Sequence, residues 1–337
     1  MRKAIVTVLM LAIVASGVFA GGQTEAAAED DTLQFAVVVK SLGNGFFEAV
    51  RDGAVEAAEE MGDVEIIYQG PAQPTAEGQI EIIDSLIAQR VDGIAISAND
   101  RDALVPAARR AVQAGIPVIS FDSGISAGRL VDLAPSDAEL IGRQQVRLIA
   151  EMIDYEGQIA ILSATSQATN QNLWIEWMEE ELTKPEYSDM ELVATVYGDD
   201  VSDKSYREMI GLMTTYPELR GVISPTTVGI AAAANAIEDE GRVGEIELTG
   251  LGLPSEMQRY IEEGVVDQMA LWNPVDLGYT STYILKRIVD GEVDGSEGDV
   301  IDVGRMGEIT VGENGASIMG EPFVFDASNV AEFAQFF

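Results

Sequence analysis

The chain contains no cysteine and no histidine. Without cysteine there is no disulfide, no thiolate nucleophile and no lipid anchor on a cysteine behind the N-terminal apolar run. Without histidine the commonest general base, the commonest metal ligand and every serine–histidine arrangement are gone. Basic residues are scarce too: 20 Lys and Arg stand against 57 Asp and Glu, a formal net charge of −37. Such a surface repels nucleic acid and anionic membrane, so neither is expected as a partner. The charge itself reads as a solvated acidic coat. After about Gly21 no apolar run approaches the length of a membrane span. Carboxylate or lysine chemistry remains open, as does binding with no chemistry at all.

The first 20 residues read as an export signal. Arg2 and Lys3 are followed by an apolar run from Ala4 to Val18, then by small residues at Val18 and Ala20. Residues 21–32 form a polar linker. Removing Arg2 and Lys3 takes the charge to −39. The expected product is an exported protein of 337 residues less its leader, enough for about two domains of roughly 150 each.

Strand and helix signals alternate almost to the end. Phe35–Lys40 is a short apolar strand, SLGNG a glycine-punctuated loop, and Phe46–Glu60 a segment with helical apolar spacing. Strands over Glu65–Tyr68, Gly93–Ser97 and Pro117–Phe121 alternate with helices over Thr75–Gln89 and Leu104–Ala114. The pattern restarts after Ser136 or Asp137, either of which can cap a helix running through Ile153. Strands then follow at Gln158–Ser163, Leu192–Tyr197, Gly221–Ile223, Glu247–Leu251 and Met269–Trp272, with helices between them. Short, continuously apolar strands alternating with helices predict an α/β fold with parallel sheets covered on both faces. The last part, from Val303 onward, is more irregular. GLGLP (Gly250–Pro254) and GENG (Gly312–Gly315) lack the spacing and lysine of a phosphate loop. DDVSD (Asp199–Asp203) lacks the glycine and distal glutamate of a calcium loop and reads as a solvated turn. No metal or cofactor is expected.

The segments KSLGNGFFEAVRDGA, ISANDRDALVPA, PVISFDSG, ATNQNLW, GVISPTTVGIAAA, TGLGLPSEM and LWNPVDLGY resemble periplasmic solute-binding proteins of the ribose-binding type. The resemblance runs from about Leu33 to Phe337 and is strongest to the rhamnose-binding proteins of ABC importers, with autoinducer-2 receptors as near relatives. It implies a type I periplasmic binding protein: two doubly wound parallel-sheet lobes joined by a three-crossover hinge. The crossings would fall near Ser136, Asn273–Pro274 and Val303–Thr310. Lobe 1 would then hold 33–135 plus 274–306, and lobe 2 would hold 136–273 plus 307–337. The implied function is capture of a small sugar, L-rhamnose first, by hinge closure and delivery to ABC permease subunits in the membrane. The implied partners allow a chemoreceptor as well, and the implied state is a monomer. The alternatives are a receptor for autoinducer-2 or another pentose or deoxy sugar, and an exported sugar-modifying enzyme using Asp122 with a second carboxylate. For the enzyme no catalytic pair is recognisable.

Candidate ligand-binding residues follow from strand ends, where open α/β sheets hold their ligands. Lys40 can donate to a ligand oxygen or lie on the surface. Asn44 can line the site or satisfy its turn. Of Phe46 and Phe47, adjacent on a helix and so about 100° apart, one is expected to stack on a sugar face and the other to join the core. Asp122, after the strand PVISF, can accept from two neighbouring hydroxyls or serve as a cap or hinge ion-pair partner. The family places its sugar-clasping aspartate there, while Ser123 departs from the adjacent arginine of ribose-type relatives. Asn170 and Gln171 can bond hydroxyls, with a helix cap as the other role for Asn170. Pro225 and Thr227 follow the strand GVISP. Asn170 and Thr227 both depart from the autoinducer-2 pattern, which has aspartate and alanine at the matching positions, and this favours rhamnose. Gly252 and Leu253 can form a pocket floor or core. Trp272 can stack or fill the hinge, and Asn273 and Asp276 can bond ligand or cap the helix begun by Pro274. Trp174 and Trp177 share a helix face and read as core.

Overall fold

The computed structural model describes residues 32–337; the export signal and nearly all of the linker read from the sequence lie outside the described residues. The first half of the chain runs β1 (Leu33–Val38), α1 (Gly45–Met61), β2 (Val64–Gln69), α2 (Ala76–Gln89), β3 (Gly93–Ile96), α3 (Val105–Gln113), β4 (Val118–Phe121) and β5 (Asp132–Ser136). It continues through α4 (Ala138–Met152), β6 (Gly157–Ser163), α5 (Thr169–Leu182), β7 (Met190–Tyr197), α6 (Ser202–Thr215), β8 (Leu219–Ser224), α7 (Thr227–Asp239), β9 (Glu247–Gly250), α8 (Pro254–Glu262) and β10 (Met269–Leu271). The last quarter holds α9 (Pro274–Val289), β11 (Val300–Asp302), β12 (Glu308–Thr310), β13 (Ala316–Gly320), β14 (Phe323–Phe325) and α10 (Val330–Phe333).

The first sheet has six strands in the order β13-β5-β4-β3-β1-β2, all parallel. The second has four parallel strands, β7-β6-β8-β9. A bridge from Leu251 to Ala270 extends it to β10, which pairs antiparallel with β14. Strands β1, β3 and β4 are almost entirely buried, as expected for strands covered on both faces. The chain is thus an α/β protein of two doubly wound lobes, and it passes between them three times.

Two crossings stand where the sequence suggests, at Ser136–Asp137 between β5 and α4 and at Asn273 between β10 and α9. The third does not. Residues 307–337 were assigned to the second lobe as a block, but β13 pairs with β5 in the first sheet, Ser317 opposite Leu133 and Gly320 opposite Ser136. The chain returns to the second lobe only between β13 and β14, at 321–322, not near Val303–Thr310. Neither β5 (DLAPS) nor β13 (ASIMG) carries a strong strand pattern. Each is a strand because it finds the other across more than half the sequence.

Local signals set the helix ends. Asp137 caps α4 by accepting from the Leu140 N–H at 3.0 Å. Asn273 caps α9, whose first residue is Pro274, by accepting from the Val275 N–H at 2.9 Å. Helices α1 and α9 cross at two glycines, Gly53 and Gly278, where the backbones nearly touch.

Glu181 on α5 is wholly buried and draws α4 onto α5. It accepts from Arg143 Nη1 at 2.7 Å, Arg147 Nε at 3.1 Å and the Tyr187 hydroxyl at 3.2 Å, and it pairs with Lys184 Nζ at 2.6 Å. Burial would raise its pKa, but the bonds from Lys184, Arg143 and Arg147 prevail and hold it at about 2 against the usual 4.5. A depressed carboxyl contributes stability that is present above its unfolded pKa and lost as pH falls through the folded one. The expected loss is on the order of 3 kcal/mol between those two values. Urea unfolding of wild type and Glu181→Gln across acidic pH checks this: the variant lacks that part of the acid dependence. Parallel pH profiles would remove Glu181 as its source.

Candidate functional site

The carboxyl ends of β1 and β4 in the first sheet face those of β6 to β10 in the second across a closed cleft. Its cavity encloses about 380 Å³, part of it open to solvent, at the small end of ligand-pocket sizes. Ten residues singled out from the sequence line it: Lys40, Asn44, Phe46, Phe47 and Asp122 from the first lobe, and Asn170, Gln171, Pro225, Thr227 and Trp272 from the second or its junction.

Lys40 lies two residues beyond β1, with its side chain only 9% exposed. Its ammonium stands 3.7 Å from Asp122 Oδ2 and donates across the cleft to Asn170 Oδ1 at 3.0 Å. Asn170 Nδ2 donates back to Asp122 Oδ1 at 3.2 Å. Three residues from two lobes therefore form one closed circuit. Asp122 is fixed from behind by the Ser97 hydroxyl, which donates to Oδ2 at 2.7 Å. Its backbone is left-handed, φ 58°, a conformation that Asp tolerates better than most residues. Behind Lys40, the fully buried Gln79 amide donates to the carbonyls of Val39 and Ser97, at 3.0 and 2.7 Å, and so locks the ends of β1 and β3 together.

Asn44 has both of the roles considered for it. Its Oδ1 caps α1 by accepting from the Phe46 N–H at 3.0 Å, and its Nδ2 donates across the cleft to Asp200 Oδ2 at 3.3 Å. Asn170 is not a cap: it sits inside α5, one residue past the helix start, while Ala168 holds the cap position.

The aromatic wall differs from the expectation. Phe46 and Phe47 both reach the cavity, meeting edge to face at 5.2 Å between centroids. Phe46 meets Trp272 at 6.1 Å, and Trp272 meets Trp174 at 5.7 Å. Trp174, read as core, therefore lines the cavity as well, while Trp177 lies under the Arg143 guanidinium at 4.9 Å. The indole N–H of Trp272 is buried without a hydrogen-bond partner, a donor available to whatever fills the cavity.

Three candidates stand outside the cavity. Leu253 is buried and packs toward Gly45 at the α1 terminus. Asn273 spends its side chain on the α9 cap. Asp276 pairs with Arg305, away from the cleft.

Besides Trp174, four liners were not among the candidates, and one of them is charged. Asp200 belongs to the acidic run read as a solvated turn, yet it is half-buried in the cleft. Its Oδ1 accepts from the Thr226 hydroxyl and its Oδ2 from Asn44. Burial pushes its carboxyl up, opposed by the Thr226 bond, the Lys40 charge and the Asn44 bond. The strand-end rule that selects Asp122 applies equally to the end of β7 and would have found it. Thr226, Leu251 and Leu271 complete the lining.

Such a site can hold a small hydroxylated molecule: donors and acceptors at both jaws, aromatic faces between them, and one lysine against two carboxylates. A model of the periplasmic binding protein domain matches residues 35–293. Among solved structures, an ABC transporter solute binding protein from Clostridium phytofermentas with bound L-rhamnose has 37% identity and a TM-score of 0.87, covering 91% of this chain and 99% of that one. LsrB from Clostridium saccharobutylicum, in complex with AI-2, has a TM-score of 0.85 at 21% identity, over 89% of this chain and 99% of that one, a likeness of fold. The D-allose-binding periplasmic protein of Escherichia coli is 24% identical over 271 residues, 78% of this chain and 85% of that protein.

Proposed function

This chain belongs to the periplasmic binding protein family, and on that premise we propose that it captures a small neutral sugar, L-rhamnose, outside the cytoplasm and hands it unaltered to an ABC permease. The observation that carries the reading is the cross-lobe circuit of Lys40, Asp122 and Asn170 beside a wall of four aromatic rings. Carboxylate and amide groups bond adjacent hydroxyls, and ring faces pack on the C–H face of a pyranose. Phe46, Phe47, Leu251 and Leu271 offer apolar surface for the methyl group of a 6-deoxy sugar. Identity of 37% to a structure with bound L-rhamnose supports that sugar over others.

The binding groups come from both lobes, so they converge only when the cleft is shut. A sugar that bonds both jaws shifts the population toward the closed form, which the permease then recognises. Five to eight hydrogen bonds at about 1 kcal/mol each, more for those to charged groups, are sufficient for micromolar affinity after ordering costs.

A thermal-shift screen against L-rhamnose, D-ribose, D-allose and autoinducer-2 tests the reading. A saturating ligand at about 100 times its Kd stabilises the folded state by roughly 2.7 kcal/mol, and the expected result is a rise of several degrees with L-rhamnose. A rise with autoinducer-2 and none with rhamnose would reassign the ligand. No rise with any sugar would sink the reading, and a changed sugar after incubation would make the protein an enzyme.

A further inference from the structure

We infer that Asp200 is a charge filter, the residue that restricts this site to uncharged sugars and turns away sugar acids. The inference rests on the sugar reading above and deepens it. The cavity carries two carboxylates, Asp122 and Asp200, and one ammonium, Lys40. Lys40 is already committed to Asp122 and Asn170. That pair is neutral as a unit, and Asp200 leaves the closed cleft with one excess negative charge. Among the described residues no arginine lines the cavity. An anionic guest would therefore enter a partly desolvated space against an unbalanced carboxylate, where Coulomb repulsion is far less screened than in water.

Both oxygens of Asp200 are placed to accept, as a carboxylate requires. Each of its oxygens accepts from a separate donor, the Thr226 hydroxyl and the Asn44 amide. Asn44 cannot turn its oxygen toward Asp200, because that oxygen caps α1. A neutral carboxyl keeps both contacts only by turning the Thr226 hydroxyl into an acceptor, whereas a carboxylate accepts from both groups as they stand. The backbone at Asp200 is left-handed, φ 54°, and its side chain lines the cleft. The charged groups around it are Lys40 from the β1 end, Asp122 from the β4 end and Glu256 on α8, whose own carboxyl burial and Asp200 push up.

Asp200→Asn tests the filter, since an amide can still accept from Asn44 while donating to a turned Thr226 hydroxyl. The probes are L-rhamnose and L-mannuronate, the same ring with a carboxylate in place of the C6 methyl group. The readout is the ratio of their two affinities by calorimetry, whatever happens to each alone. Wild type is expected to prefer the neutral sugar by roughly 100-fold, and the variant to narrow that ratio by on the order of tenfold. A second arm needs no variant: burial raises the Asp200 carboxyl, so in wild type the ratio falls with pH before the ordinary carboxylate range is reached. Equal ratios in the two proteins, or wild type binding both sugars alike, would overturn the filter. Wild type that binds neither probe would overturn the rhamnose assignment; the filter is then decided on whichever neutral sugar raises the melting point, paired with its own uronate.

Discussion

Asp122→Ala is expected to lose sugar affinity by roughly 100-fold or more, because two charge-assisted hydrogen bonds at about 1.5–3 kcal/mol each leave with the carboxylate. The damage extends beyond the lost acceptor. Lys40 loses the countercharge 3.7 Å away and keeps only Asn170. Asn170 Nδ2 loses its partner at 3.2 Å, so the circuit that joins the lobes opens. The fold survives, since within its own lobe the Asp122 side chain meets the Ser97 hydroxyl and the Lys40 ammonium at the cleft surface and supports no core packing. Alanine does carry a penalty of about 1 kcal/mol at φ 58°. Asp122→Asn separates the two effects: asparagine accepts the left-handed backbone, so its stability stays near wild type while its affinity still falls. Calorimetric titration with L-rhamnose beside denaturant melts gives both numbers. Wild-type affinity in Asp122→Ala would take this residue out of the site.

The largest expected stability effect lies away from the cleft. Gly278→Ala should destabilise the protein by about 3 kcal/mol or more. A Cβ on Gly278 would stand 1.9 Å from the Val50 carbonyl oxygen and 2.7 Å from its carbon. The reciprocal Cβ on Gly53 would stand 1.8 Å from the Val275 oxygen. These are backbone atoms, so no rotamer change relieves the contact, and α1 and α9 must move apart. Separation uncovers Val50, Ala54, Leu277 and Leu285, all fully buried. It also disturbs the second crossing, because α9 begins at the Asn273 cap. Gly211 in α6 is the control. A Cβ there meets nothing within 4 Å, and alanine is expected to raise stability by up to about 1 kcal/mol through helix propensity alone. Urea melts of both variants check the contrast. A Gly278→Ala protein within about 1 kcal/mol of wild type would show that the helices yield easily.

How far the site was legible depended on how local each residue's role is. Lys40, Asp122, Pro225 and Thr227 stand directly after apolar strands, and every one of them lines the cavity. Asp200 obeys the same rule, but the three aspartates within Asp199–Asp203 look like surface, and β7 is an edge strand. Nothing in the local pattern says that this edge faces Asn44 of the other lobe. Asn273 and Asp276 illustrate the reverse error. Both follow a strand end, and both are taken by local partners, the α9 backbone and Arg305. Phe46 and Phe47 were expected to diverge by helical geometry, yet the cleft at the start of α1 is wide enough to meet both rings.

The alternation of short apolar strands with amphipathic helices, the caps, the absence of histidine and cysteine, and the strand-end residues are properties of neighbours in the chain. Sequence by itself therefore determined the α/β class, the parallel sheets and most of the lining. Only the tertiary structure decided that β13 pairs with β5, that the third crossing falls at 321–322, and that Asp200 meets Asn44. The first and last of these join segments more than a hundred residues apart, and the crossing leads β14 back to β10 across about fifty. Such pairings are chosen by the free energy of the assembled whole, where a weak strand is stabilised by its neighbour and a polar group by its partner, and no local pattern encodes them.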